Sequence, residues 1–187
     1  MNIFVLSLNP ALAAQWHCDR HVVKMILEST QLLWTAWHIA TAGRADDLLE
    51  TAPTTKAGAR GYQPTHRNHP CAIWARATLG NYRWLLALAA ALVAEYHVRY
   101  PAAGAHACEP HLAWLAAHPP PLPAKPMTMP VCAMPPEYKQ SPNPTACYRA
   151  YYMGQKRERG LLVYTRRDAP PWTKPPFVLR NETDAPE

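Results

Sequence analysis

Residues 10–40, PALAAQWHCDRHVVKMILESTQLLWTAWHIA, repeat chemically versatile side chains at helical spacing. His17, His21, Lys24, Glu28 and Gln31 fall at i, i+4, i+7, i+11 and i+14, so one helix through them carries all five on one face. The other faces hold Leu12, Val22, Val23, Met25, Ile26, Leu27, Leu32, Leu33 and Trp34. A helix apolar on most sides is normally buried, and ionisable groups inside it are costly unless paired or lining a cavity. The stripe is therefore a candidate reaction centre, with Glu28 or a histidine (His17, His21) as base and Lys24 as an amine made nucleophilic by burial. A plainer reading pairs Glu28 with Lys24, bonds His21 to a neighbouring carbonyl and turns the face to water.

A second cluster follows Gly61-Tyr62: Thr65-His66-Arg67-Asn68-His69-Pro70, then Trp74 and Arg76. Set at a helix start, where N–H groups are unpaired, His66, Arg67, Asn68, His69 and Arg76 suit a phosphate; Asn68 or His69 serving simply as a cap is the alternative. The third cluster is ACYRAYYMGQKRERG, with Tyr148 and Tyr152 at i, i+4, Arg149 and Tyr151 beside them and Lys156 one turn on. Such rings can stack on unpaired bases while the cations track phosphates, although an amphipathic helix with wet tyrosine hydroxyls would look the same.

Composition bounds the classes. The 187 residues suit one domain with a real core. The net charge is +6, and residues 146–180 hold eight Lys or Arg against two acids, which accounts for all of it. A neutral body with a basic C-terminal third fits a polyanion partner, DNA through its bases and phosphate backbone. On that reading Arg149, Lys156, Arg157, Arg166 and Arg167 meet phosphates and binding weakens steeply with salt. No run of about 20 apolar residues is present, so no membrane span is expected. The start, MNIFVLSLNP, lacks the basic and apolar regions of a secretory signal, and five cysteines without a CxxC pair read as free thiols of a reducing, cytoplasmic compartment. Neither a metal site nor a cofactor is expected, and a monomer is the working expectation.

The elements that must position these groups read as mainly α: a helical bundle in one domain, with a short N-terminal strand (3–8) and a long Pro-rich loop. Asn9-Pro10 starts the long first helix and Gly43 stops it. A short helix and a Gly/Pro/Thr-rich loop cover 44–68, and a second long helix runs from His69-Pro70 to Pro101. Residues 108–118 form one short helix, and 119–144 an ordered loop with ten prolines, excluded from regular structure. Helix resumes from Thr145 to about Arg159, so a domain over 1–165 ends in a basic, Pro-rich and partly mobile tail, 166–187.

Taken together, IFVLSL with AAQWH on the first helix, GY…NHP before the second, and YRAYYMGQK near the end resemble the phage pyrimidine-dimer DNA glycosylases of the endonuclease V type. The resemblance is collinear over about half the chain and looks nearest to a phage-borne branch with an HCDKHVVKM-like helix, here His17 to Met25. It implies a base extruded from a bent duplex and attack on a nucleoside carbon by an amine. In that family the amine is the α-amine left after Met removal, assisted by a glutamate on the first long helix. This chain departs from the pattern, since it begins Met1-Asn2 and Glu28 is the only acid on the face but does not align cleanly with that glutamate. Met1 is expected to be retained and an N-terminal extension tolerated. Three functions follow: a glycosylase or lyase acting on a damaged pyrimidine; a transferase joining an amine or amino acid to an activated, phosphorylated hydroxymethyl thymine; and a non-catalytic DNA-binding protein.

Overall fold

The computed structural model describes residues 2–174, in which seven α-helices and short 3-10 and π turns form a mainly helical fold. Helix α1 (Pro10–Trp16) starts where Asn9 Oδ1 accepts from Leu12 N and Pro10 occupies the first turn. Helix α2 (Asp19–Thr41) ends on Ala42 at φ 47° and Gly43 at φ 76°, α3 is the short Asp46–Leu49, and α4 (Pro70–Ala75) precedes the long α5 (Leu79–Arg99). Helices α6 (Glu109–Ala117) and α7 (Pro144–Tyr151) complete the set. The core lies where α2 packs along α5, with α1 and α6 against them. The Trp34 ring is fully buried there, stacked on Trp114 at 4.9 Å.

Three expectations are corrected. The first long helix is two, broken at His17–Cys18, whose backbones are extended. The break holds because the Asp19 N–H, free at the start of α2, donates to Val163 O at 2.9 Å. The N-terminal strand is absent: among the described residues no strand forms, and Ile3, Phe4, Val5 and Leu6 are all buried, which strand alternation onto one face would not allow. Phe4 sits at φ 50°, and Leu6 N donates back to Phe4 O. The second long helix is also two, because Thr78 caps α5 by accepting from Asn81 N at 3.0 Å.

That cap is completed by the Pro-rich loop. Leu79 N donates to Pro123 O at 2.9 Å and Gly80 N to Lys125 O at 3.1 Å, so a segment unable to form ladders supplies the carbonyls that α5 lacks. Asn81 clasps the same loop, accepting from Thr128 N at 2.7 Å. The loop is ordered as expected, and Gly80 is what lets it close in. A Cβ at Gly80 would lie 2.3 Å from Met127 N and 2.4 Å from Pro126 C, backbone atoms that cannot swing aside. Gly80→Ala is expected to cost about 3 kcal/mol in denaturant unfolding; an unchanged midpoint would contradict this packing.

The tail is docked as far as it is described. Arg167 reaches Glu95, Trp172 is buried, and the part beyond 174, like Met1, lies outside the described residues. No helix of the described residues is long and apolar enough to cross a membrane.

Candidate functional site

The break at His17–Cys18 divides the expected stripe. His17 and His21 turn into an aromatic core with Phe4 and Tyr152, their rings 6.4 and 4.5 Å from that of Phe4. His17 Nδ1 donates to Ala13 O at 2.7 Å, leaving Nε2 buried and unpaired. Burial lowers its pKa to about 4, with Arg99 adding to the effect against the Ala13 bond. His21 Nδ1 takes the Tyr152 hydroxyl, and burial, with His17, Lys156 and Lys24 nearby, lowers its pKa to about 2. Both imidazoles are neutral in the folded chain and packed away from solvent, so neither is the base expected of them.

Their titration belongs to stability. An unfolded histidine takes up its proton near pH 6.5, whereas folded His17 holds off until about pH 4. Between those values the unfolded chain binds more protons, so stability falls as pH falls, by on the order of 3 kcal/mol for His17 alone once pH 4 is reached. Denaturant unfolding from pH 4 to 8 is expected to show stability rising to about pH 6.5 and levelling above it; a flat profile would contradict a buried neutral pair.

Lys24 and Glu28 stay on the outer part of the same face. Their salt bridge is 3.2 Å, but Lys24 is 61% exposed and Glu28 only 14%. The other carboxylate oxygen accepts from Asn2 N at 3.2 Å. Asn2 was not visible as a site residue while the start read as strand, yet each of its polar groups is engaged. Its Nδ2 donates to Ala133 O at 2.7 Å, and its Oδ1 accepts from Ile3 N at 2.8 Å and Cys71 Sγ at 3.7 Å and lies 3.0 Å from the Tyr148 hydroxyl. The buried segment 2–6 and the Pro-rich loop thus hold one face of the Glu28 carboxylate.

The second amine at this end is Lys156. A π turn over Tyr152–Lys156 breaks the α register after α7, and it seats Lys156 Nζ 4.8 Å above the Tyr151 ring and 5.4 Å from Phe4. The residue is 8% exposed. Burial lowers its pKa, as do Arg159 and Lys24, with Glu28 close enough to oppose them. Its Nζ donates to Gln155 Oε1 at 3.4 Å, and the Glu28 carboxylate acts on it through space without a salt bridge between them.

Other expected site residues lie apart from these two groups. Tyr148 and Tyr152 are fully buried, so their faces are closed to bases; their hydroxyls serve Val131 O and His21. Arg149 donates to Leu6 O at 3.0 Å and stacks over Trp16 at 4.8 Å, a bracket between α7 and the N-terminal segment. Arg157 donates to Thr173 O and Arg167 to Glu95, so with Arg149 and Lys156 four of the five expected phosphate contacts make hydrogen bonds within the chain, although Arg157 and Arg167 remain exposed. His66, Arg67 and Asn68 are exposed; Arg76 donates to Arg67 O at 2.8 Å and closes that loop. His69 caps α4 by accepting from Cys71 N at 3.1 Å; burial lowers its pKa first of all, while Glu28 acts against the shift. Of this cluster only His69 adjoins the Glu28 centre.

Fold and site together define a helical domain with one carboxylate–amine centre at its amino-terminal end. Comparison with protein-family models, curated proteins and solved structures finds no match to this chain.

Proposed function

We propose that this protein is a DNA-acting enzyme that works on a pyrimidine base by amine and carboxylate chemistry, as do the pyrimidine-dimer glycosylases its motifs resemble. The observation that carries the reading is Glu28, 14% exposed and held by Asn2 N, within electrostatic reach of the buried amine of Lys156. Burial leaves more of that amine neutral at a given pH, which is the form that attacks carbon. Lys24, exposed and already paired, suits the role less well than its position on the stripe implied.

In this mechanism the neutral Lys156 Nζ adds to C1′ of the nucleotide as the C1′–N bond breaks and its electron pair leaves with the base. Glu28 takes the proton from the new ammonium and returns it to the ring oxygen as the sugar opens to an imine. Lys24 holds the carboxylate in place through its 3.2 Å salt bridge. The net positive charge draws the duplex in.

Borohydride reduces such an imine to a stable protein–DNA adduct. Full-length protein incubated with duplexes carrying an ultraviolet-induced dimer or an abasic site is expected to give that adduct, with Lys156 as the modified residue by mass spectrometry. Absence of adduct on both duplexes overturns the reading.

A further inference from the structure

A cleft of about 650 Å³ opens on the other side of Lys24, between α2, the 54–63 loop and the segment leading into α6. Its volume is that of a small-molecule site rather than a surface groove. Val23 and Leu27 of α2 wall it and are themselves more than a third exposed, an arrangement a folded core would not leave. Tyr62 and His111 form the opposite wall, ring centroids 4.8 Å apart. Beneath it lies Trp34, so close to the lining residue Gly61 that a Cβ there would fall 2.7 Å from the indole.

Three buried polar atoms of this ring cluster have no hydrogen-bond partner: Trp34 Nε1, His38 Nε2 and His111 Nδ1. Only His111 lines the cleft. Burial disfavours the charged ring; a neutral imidazole keeps one acceptor nitrogen, and with that acceptor at the unpartnered Nδ1 the atom requires an N–H or O–H donor. The lining contains two cations, Lys24 and Lys56, and no acid.

We infer that this cleft binds a thymidine nucleotide, its base between Leu27 and Tyr62 with the ring N–H on His111 Nδ1, and its phosphate at Lys24 and Lys56. Apolar walls, one buried acceptor and a cationic mouth match a flat neutral ring that carries one N–H and one anion. The choice of a pyrimidine rests on the proposed function; the aromatic anion rests on the cleft alone. The nucleotide is either free or part of a strand.

Calorimetric titration of the full chain with thymidine 5′-monophosphate, thymidine or inorganic phosphate, and with a single-stranded thymidine oligonucleotide, tests this. The monophosphate or the oligonucleotide is expected to bind at least about tenfold more tightly than thymidine or phosphate alone. Leu27→Trp, at an exposed helix position, is expected to weaken that binding about tenfold without shifting the thermal midpoint, by filling the cleft, and Lys56→Ala to weaken it about threefold. Sensitivity to Leu27→Trp with the monophosphate identifies a free nucleotide, and with the oligonucleotide alone a nucleotide within a strand. No saturable binding of either, or binding indifferent to Leu27→Trp, overturns the inference. Borohydride adduct without nucleotide binding leaves the proposed function standing and removes the cleft; binding without adduct does the reverse.

Discussion

Glu28→Gln is expected to slow formation of the borohydride adduct by about 100-fold or more, the usual scale of a lost acid–base group. The amide keeps the shape of the side chain and an oxygen for Asn2 N, so the thermal midpoint should hardly move. Lys156→Arg sharpens the test: it keeps a cation over Tyr151 and Phe4 but offers no nucleophile at neutral pH, and the adduct should disappear. Lys24→Met should leave the adduct within a few-fold of the parent, because the exposed amine positions the carboxylate without being the nucleophile. Adduct persisting in Lys156→Arg would move the amine elsewhere; if a one-residue N-terminal extension then abolished it with folding intact, the α-amine would be the nucleophile.

Arg99→Met is expected to cost about 3–5 kcal/mol, the scale for breaking a buried ion pair from one side. The Arg99 side chain is fully buried, with Nε on Glu95 at 2.8 Å, Nη1 on Asp19 at 2.8 Å and Nη2 on Gln15 O at 2.9 Å. Its loss strands Glu95, itself 3% exposed, with Arg167 as remaining partner. For a chain of this size the thermal midpoint should fall by about 10 °C or more. Adding Glu95→Leu should recover part of the loss, since the uncompensated charge goes with it. A fall of only a degree or two in Arg99→Met would mean that the network is held by water rather than by the guanidinium.

Local signals along the chain were readable wherever their cause was local. Asn9-Pro10 begins a helix through the Asn9 side chain, Gly43 follows the end of another, and the proline-rich stretch forms a loop held on the body, with Met134 buried. What could not be read was caused at a distance. The break at His17–Cys18 depends on Val163 and that before Thr78 partly on Pro123 and Lys125, so helical periodicity ran straight through both. The stripe is accordingly divided: Lys24 and Glu28 pair, as the plainer reading has it, while the histidines lie in the core. The basic, tyrosine-rich stretch misled for a related reason. Composition counts cations but does not say that Arg149 will stack on Trp16 or Arg167 reach Glu95. Asn2 left one usable clue, a lone polar residue ahead of four consecutive apolar ones, which is how a buried, hydrogen-bonded start differs from a half-exposed strand.

The seam between Asp19 and the segment 163–167 has a further consequence. Asp19 gives its N–H to Val163 and takes the amide and hydroxyl of Thr165, while Arg99 and Arg167 meet on Glu95. The early and late parts of the chain therefore share their hydrogen bonds across one junction. Neither can loosen without uncovering the other's amides, so the two form a single cooperative opening unit. The Glu28 centre sits on the helix that begins at this seam, and Lys156 on the turn that leads back to it. A protease that clips the late segment would thus be felt at the opposite end of the sequence, as a loss of protection against hydrogen exchange around Asp19.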